Sequence, residues 1–201
     1  MERYNLASVT QKLYNSGFNF FTRQTFENII GAKKDVTLFA VIKKLLSAGI
    51  LKKIERNKYI LVDAQIGDFN LANFFYQPSY VSFESALNFH GILSQFPREV
   101  SSATSKKTVR KVYNGKNFVY SHIKKSLFWG FEKQNGVLIA LPEKALLDQF
   151  YLSAKGYKKD CLEDCYLDKL NKTRLKEYLK LYLQTGQFKN VFNALKKRLN
   201  L

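Results

Sequence analysis

Asp160, Asp164 and Asp168 stand at four-residue spacing with Glu163 among them, a set of side chains whose type and pattern could do chemistry. On a helix they would line one face, and with converging ligands from other elements such carboxylates hold a divalent cation for phosphodiester cleavage. No converging ligands are recognisable, and Lys169 and Lys172 lie close by, so a solvated charged face is the expectation. Cys161 and Cys165 would supply half of a zinc site, and without two further ligands at a recognisable spacing they read as buried thiols. His90 precedes Gly91 at an expected helix end, where an imidazole suits the helix dipole, and His122 has no partner in the sequence. There is no P-loop, no glycine-rich nucleotide fingerprint and no G-x-S-x-G elbow. The expectation is therefore no enzyme: no catalytic residue, no metal and no cofactor.

The cations speak more strongly. Lys and Arg number 33 against 16 Asp and Glu, a net charge of +17. Such an excess points to a polyanion, with nucleic acid ahead of an anionic membrane surface. The excess is spread along the chain: residues 1–62 carry 11 Lys/Arg against 4 Asp/Glu, and residues 63–201 carry 22 against 12. With 46% hydrophobic and 15% aromatic residues, both halves can build a core, so this is not a folded domain trailing a basic arm. The longest apolar runs, residues 38–42 and 137–141, are far too short to span a bilayer. Residues 1–5 hold no apolar signal segment, and two cysteines make no disulfide framework. A cytoplasmic protein with no membrane partner is expected.

The elements that must position the cations begin with three helices and a hairpin in residues 1–62. Residues 6–14 form an amphipathic helix stopped by Asn15-Ser16-Gly17. Thr22 is an N-cap for a second helix that Gly31 ends, and Asp35 is an N-cap for a third that runs to about Gly49. Residues 51–55 and 58–62, though their alternation is imperfect, read as strands about Arg56-Asn57, where Asn tolerates the positive φ of a tight hairpin. Three helices followed by a basic ribbon are the order of a winged helix-turn-helix, whose third helix enters the major groove while the wing touches the backbone. At 100° per residue Leu38, Val41, Ile42 and Leu45 face inward, which turns Val36, Thr37, Ala40, Lys43, Lys44 and Ser47 outward. The expected DNA-binding residues are Arg23, Lys33, Lys34, Val36, Thr37, Ala40, Lys43, Lys44, Arg56 and Lys58.

Residues 63–75 show no clear period and read as a linker or linking helix, and a second, mixed α+β domain occupies residues 76–201. Ser82 caps a helix ended by Gly91; strands follow at 99–104, 108–113, 116–121, 128–132 and 137–140. Asn114-Gly115 and Asn135-Gly136 are hairpin turns. Pro142 opens a helix to about Leu152, and a helical tail starts at about Asp160 and includes a basic amphipathic stretch over residues 188–199. Arg98, Lys106, Lys107, Arg110, Lys111, Lys116, Lys124 and Lys125, with Tyr113, Phe118 and Tyr120 interleaved, suggest a second polyanion surface or a solvated hairpin face.

Two stretches of this second half resemble a known family. Tyr80-Val81-Ser82-Phe83-Glu84-Ser85-Ala86-Leu87-Asn88-Phe89-His90-Gly91-Ile92-Leu93, followed by Pro97, is similar to the opening of the C-terminal domain of AbiE-type antitoxins. Ile139-Ala140-Leu141-Pro142-Glu143-Lys144-Ala145-Leu146-Leu147-Asp148 resembles a later signature of the same domain, with Leu141 where a capping Thr or Ser is usual. The resemblance implies an antitoxin of a type IV toxin–antitoxin system. Such a protein represses its own promoter through the winged helix and counters a nucleotidyltransferase-type toxin through the second domain, without a stable complex. The competing expectation is a winged-helix transcription regulator whose second domain senses a ligand or dimerises.

Overall fold

The local signals in residues 1–62 translate into helices almost where expected. A computed structural model describes residues 4–31 and 34–182, with positions 188, 193, 195 and 197 beyond them. The chain divides into two compact units, Met1–Gly67 and Asp68–Leu201. Both mix helix and strand, so the fold class is α+β.

In the first unit α1 spans Leu6–Asn15, capped by Asn5, whose side chain accepts from the Ala7 N–H at 3.0 Å. Thr22 and Thr25 form a reciprocal capping box at the start of α2, Arg23–Ile30, and Gly31 ends it with φ 71°. The third helix, α3, covers Asp35–Ser47. Its N-cap is Lys34, not Asp35: Asp35 is the first helical residue, where its carboxylate favours the positive end of the dipole. Three strands complete the unit, β1 (Phe20–Thr22), β2 (Leu51–Glu55) and β3 (Lys58–Leu61), in the antiparallel order β1-β3-β2. The β2–β3 turn carries Asn57 at φ 58°, as its sequence demanded. Leu13, Phe21, Phe26, Leu38, Ile42, Leu45 and Tyr59 meet in one core, with the Phe21 and Phe26 rings stacked at 5.2 Å. Truncating Leu38 or Leu45 to Ala would cost roughly 2–5 kcal/mol.

The second unit opens earlier than the sequence suggested. Residues 63–75 are not one linker: α4, Asp68–Phe75, buries Leu71, Ala72 and Phe75 in this unit, so the boundary falls after Gly67 and not after Phe75. Then follow β4 (Ser79–Val81), α5 (Phe83–Phe89), β5 (Val100–Thr104), β6 (Val109–Tyr113), β7 (Lys116–His122), β8 (Phe131–Gln134), β9 (Val137–Ala140) and α6 (Pro142–Ser153). The sheet order is β6-β7-β5-β4-β9-β8, with β5/β7 and β4/β9 parallel. Both Asn-Gly hairpins form, with φ positive at Asn114, Gly115, Asn135 and Gly136. The expected strand over 128–132 starts instead at Phe131, directly after Gly130, whose φ of 72° is not that of an extended strand. Residues 143–152 of α6 are all buried, making it the central helix of the unit.

The helical tail does not begin at Asp160. Residues 157–171 are irregular apart from a 3-10 turn at Leu167–Lys169, and α7 covers Lys172–Tyr182. Asp160, Asp164 and Asp168 therefore line no helix face. An isolated bridge from Cys165 to Leu93 and the burial of Cys161 hold the segment in place. The stretch 188–199 lies outside the described residues except for positions 188, 193, 195 and 197, of which Phe188 and Leu195 are buried. Among the described residues no helix is long and apolar enough to cross a membrane.

Candidate nucleic-acid interface

Helix α3 sorts its side chains by period. Leu38, Val41, Ile42 and Leu45 are buried, while Val36, Ala40, Lys43, Lys44 and Ser47 are turned outward and Thr37 lies on the flank. Val36 is 82% exposed, a large apolar group left in water at the first turn. Phe39 is also exposed on this helix and was not among the expected residues; helical spacing alone put it at the margin of the inward face. Lys34 is exposed at the helix start, and Lys33 lies outside the described residues.

Two expected cations are engaged within the unit. The Arg23 guanidinium donates to the Asp35 carboxylate and so ties the first turn of α2 to the first turn of α3. Lys58 pairs with Glu55 at 2.8 Å across the β2–β3 turn. Arg56 stands exposed at the tip, and the exposed Lys52 and Lys53 of β2 join it. The signal for those two was present in the sequence, two lysines in the outer strand of a short hairpin. The result is a surface with an apolar and small-residue helix face, Lys43 and Lys44 on it, and a lysine-bearing ribbon in the same unit.

The eight cations of residues 98–125 do not form one open field. Arg110 pairs with Glu99 at 3.0 Å, Lys116 with Asp68, and Lys111 donates to the Phe75 carbonyl at 3.0 Å. The Lys106 ammonium sits 5.9 Å from the Tyr76 ring centroid. Lys107, Lys124 and Lys125 are exposed, and Arg98 lies in the loop ahead of β5. The interleaved aromatics face inward: Phe118 and Tyr120 are buried, Tyr113 packs edge-on against Phe75, and the Tyr120 hydroxyl donates to the Ala72 carbonyl at 2.7 Å. They pack the sheet against α4 and offer no stacking platform.

The two stretches that carry the family resemblance meet at one buried carboxylate. Asp148 accepts hydrogen bonds from the hydroxyls of Tyr80 (2.8 Å), Ser82 (2.8 Å) and Tyr182 (2.7 Å), and Lys144 forms its ion pair. The Lys144 ammonium also donates to the Tyr80 and Tyr182 hydroxyls, both at 2.8 Å, and lies 5.2 Å from the Trp129 ring. Burial pulls the Lys144 pKa below its ordinary value against the opposing pull of Asp148. Burial, then the Asp148 charge, push both tyrosines well above theirs. Ser82, expected as a helix cap, makes no capping bond because its hydroxyl goes to Asp148. His90 bonds the Ala140 carbonyl through Nε2 at 2.8 Å, linking the same two stretches again. Gly130 covers Lys144 closely, and a Cβ there would meet the lysine methylenes at 3.0 Å. Closed to water, the cluster joins β4, α6 and α7; it is positioned to hold the unit together and not to meet a substrate.

The cysteines are buried with their sulfurs 3.7 Å apart, and the contact with Cys165, then burial, raise the Cys161 thiol pKa. Among the described residues no group of three or more His, Cys, Asp or Glu side chains is placed to hold a metal ion. No protein-family model and no curated protein sequence matches the chain.

Proposed function

We infer that the chain binds double-stranded DNA through its first unit, acting as a winged helix-turn-helix, and represses transcription from its own promoter. One observation supports this above the others: α3 buries Leu38, Val41, Ile42 and Leu45 while turning Val36, Ala40, Lys43, Lys44 and Ser47 outward. In a major groove the small Ala40 and Ser47 permit close approach, Val36 and Ala40 suit thymine methyls, and the lysines meet phosphate or guanine. Lys52, Lys53 and Arg56 of the hairpin suit the neighbouring backbone.

The second half of the reading rests on the resemblance of residues 80–93 and 139–148 to AbiE-type antitoxins. On it, the second unit counters a nucleotidyltransferase-type toxin in the cytoplasm without binding it stably. Anisotropy titrations of the full chain on its promoter and on random duplexes, across salt, test the DNA reading. Tighter promoter binding that weakens in Lys43→Ala/Lys44→Ala supports it; equal affinity for both duplexes with no mutant effect overturns it.

A further inference from the structure

The second unit contains a cleft of about 710 Å3 between the α4–β4 connection and the β8–β9 hairpin. One wall is aromatic. Phe131 stacks on Tyr80 with ring centroids 4.4 Å apart and planes 17° apart, and Phe128 packs edge-on to Phe131 at 5.2 Å. Because side chains alternate along a strand, Phe131 and Lys133 share one face of the edge strand β8, so the cleft has an ammonium two residues from its aromatic wall. Leu138, directly across from Lys133 in the ladder, adds an apolar surface. The opposite side is held in place: the Asn73 amide accepts from the Leu138 N–H and donates to its carbonyl at 3.2 Å, pinning α4 to β9.

This chemistry selects a ligand class. The volume falls in the usual range for small-molecule sites, which are mostly apolar with a few placed polar groups. Lys133 is the one cation among the residues described as lining the cleft, and among the described residues it has no acidic partner. A polyanion would meet one positive charge and two phenyl rings, a poor match. A flat ring with a single anionic group matches both features: its face lies on Phe131, its edge meets the tilted Phe128 ring, and its anion reaches the Lys133 ammonium. We propose that this cleft binds a small planar aromatic anion, an aromatic carboxylate or a nucleoside monophosphate. The cleft belongs to the second unit and α3 to the first, and its test does not depend on DNA binding.

The test is calorimetric and ligand-observed NMR titration of the full chain with four probes: 2-naphthoate, 2-naphthamide, 5′-AMP and adenosine. Saturable one-to-one binding of 2-naphthoate or 5′-AMP is expected, about fivefold or more tighter than that of its neutral counterpart. The tighter of the two anions identifies the source. Lys133→Gln should abolish the preference for the anion and, being an exposed change, leave the thermal midpoint unchanged. Phe131→Leu should weaken charged and neutral probes alike, and Lys107→Gln, an exposed cation elsewhere, should change neither. No saturable binding of any probe, or an anion preference that survives Lys133→Gln, overturns the proposal.

Discussion

The hydroxyl of Tyr182 donates to Asp148 at 2.7 Å inside a core where both side chains are fully buried, fastening α7 to α6. Asp148 thereby gathers three hydroxyls and one ammonium, from β4, the β4–α5 junction, α6 and α7. Removing one partner of a buried ion pair strands the other, which costs more than the pair is worth as a whole. Asp148→Asn is therefore expected to destabilise the chain by roughly 3–5 kcal/mol. The double change Lys144→Met/Asp148→Asn removes the stranded ammonium while keeping an acceptor for the buried hydroxyls, and should recover part of that loss. Urea denaturation of the full chain, followed by Trp129 fluorescence and circular dichroism, measures both. A wild-type midpoint in Asp148→Asn would contradict the role assigned to this carboxylate.

The same cluster sets an alkaline limit on stability. Tyr80 and Tyr182 have folded pKa values raised above 10.0, so the folded chain holds protons that the unfolded chain releases. Their contribution is fully present below pH 10 and is lost as pH rises above it. Lys144 acts with the opposite sign: its folded pKa lies below 10.5, so its contribution is present above 10.5 and is lost as pH falls through that window. With two tyrosines against one lysine, stability is expected to fall above pH 10. Denaturation midpoints measured from about pH 8 to about 11.5, a window that brackets both ordinary values, should fall less steeply in Tyr182→Phe than in wild type. Parallel curves would remove Tyr182 from this account.

How much of this was legible in the sequence depended on how local each interaction is. Thr22 and Gly31 bracket α2 because a cap is written within three residues of its helix, and the Asn-Gly turns fixed two hairpins for the same reason. β1 and β4 escaped because each is three residues long, too short to display a period, and each exists only through pairing with distant strands. The acidic triad misled in the other direction. Its four-residue spacing imitates a helix, yet the segment is held irregular by the packing of Cys161 and the bridge from Cys165 to Leu93. A buried Lys144 could not be read from residue type, since lysine is ordinarily exposed and its partner Tyr182 lies 38 residues away. The aromatic residues among the basic cluster looked like a stacking surface because sequence order does not say which face of β7 is covered by α4.

On the DNA reading, the geometry ranks the cations. Lys43→Ala, Lys44→Ala and Arg56→Ala are each expected to weaken duplex binding and to lower the log–log salt slope by about one for each phosphate no longer neutralised. Arg23→Ala and Lys58→Ala should affect stability more than slope, because Asp35 and Glu55 already hold those charges. A bulky residue at Ala40 should instead change which sequences bind. Anisotropy across about 50–200 mM salt, where phosphate neutralisation dominates the affinity, separates the two classes. Equal slopes for all five single variants would argue against α3 and the hairpin as the binding surface.

The antitoxin reading makes its own demand on where the chain can be cut. Because α4 buries Leu71, Ala72 and Phe75 within the second unit, residues 68–201 should fold alone, whereas residues 76–201 lack part of that core. If the second unit neutralises a nucleotidyltransferase-type toxin, residues 68–201 should rescue cells expressing the cognate toxin without any promoter binding. Residues 76–201 should rescue poorly or not at all, and circular dichroism should show why. Conversely, Lys43→Ala/Lys44→Ala in the full chain should lose repression and keep rescue. Leu146, fully buried in α6, provides the folding control: its truncation to Ala should cost roughly 2–5 kcal/mol and impair rescue by unfolding the unit. Toxin and antitoxin should elute separately on gel filtration. A stoichiometric complex would contradict the type IV mode. Failure of both the full chain and residues 68–201 to rescue would remove the antitoxin reading and leave DNA binding by the first unit to stand on its own measurements.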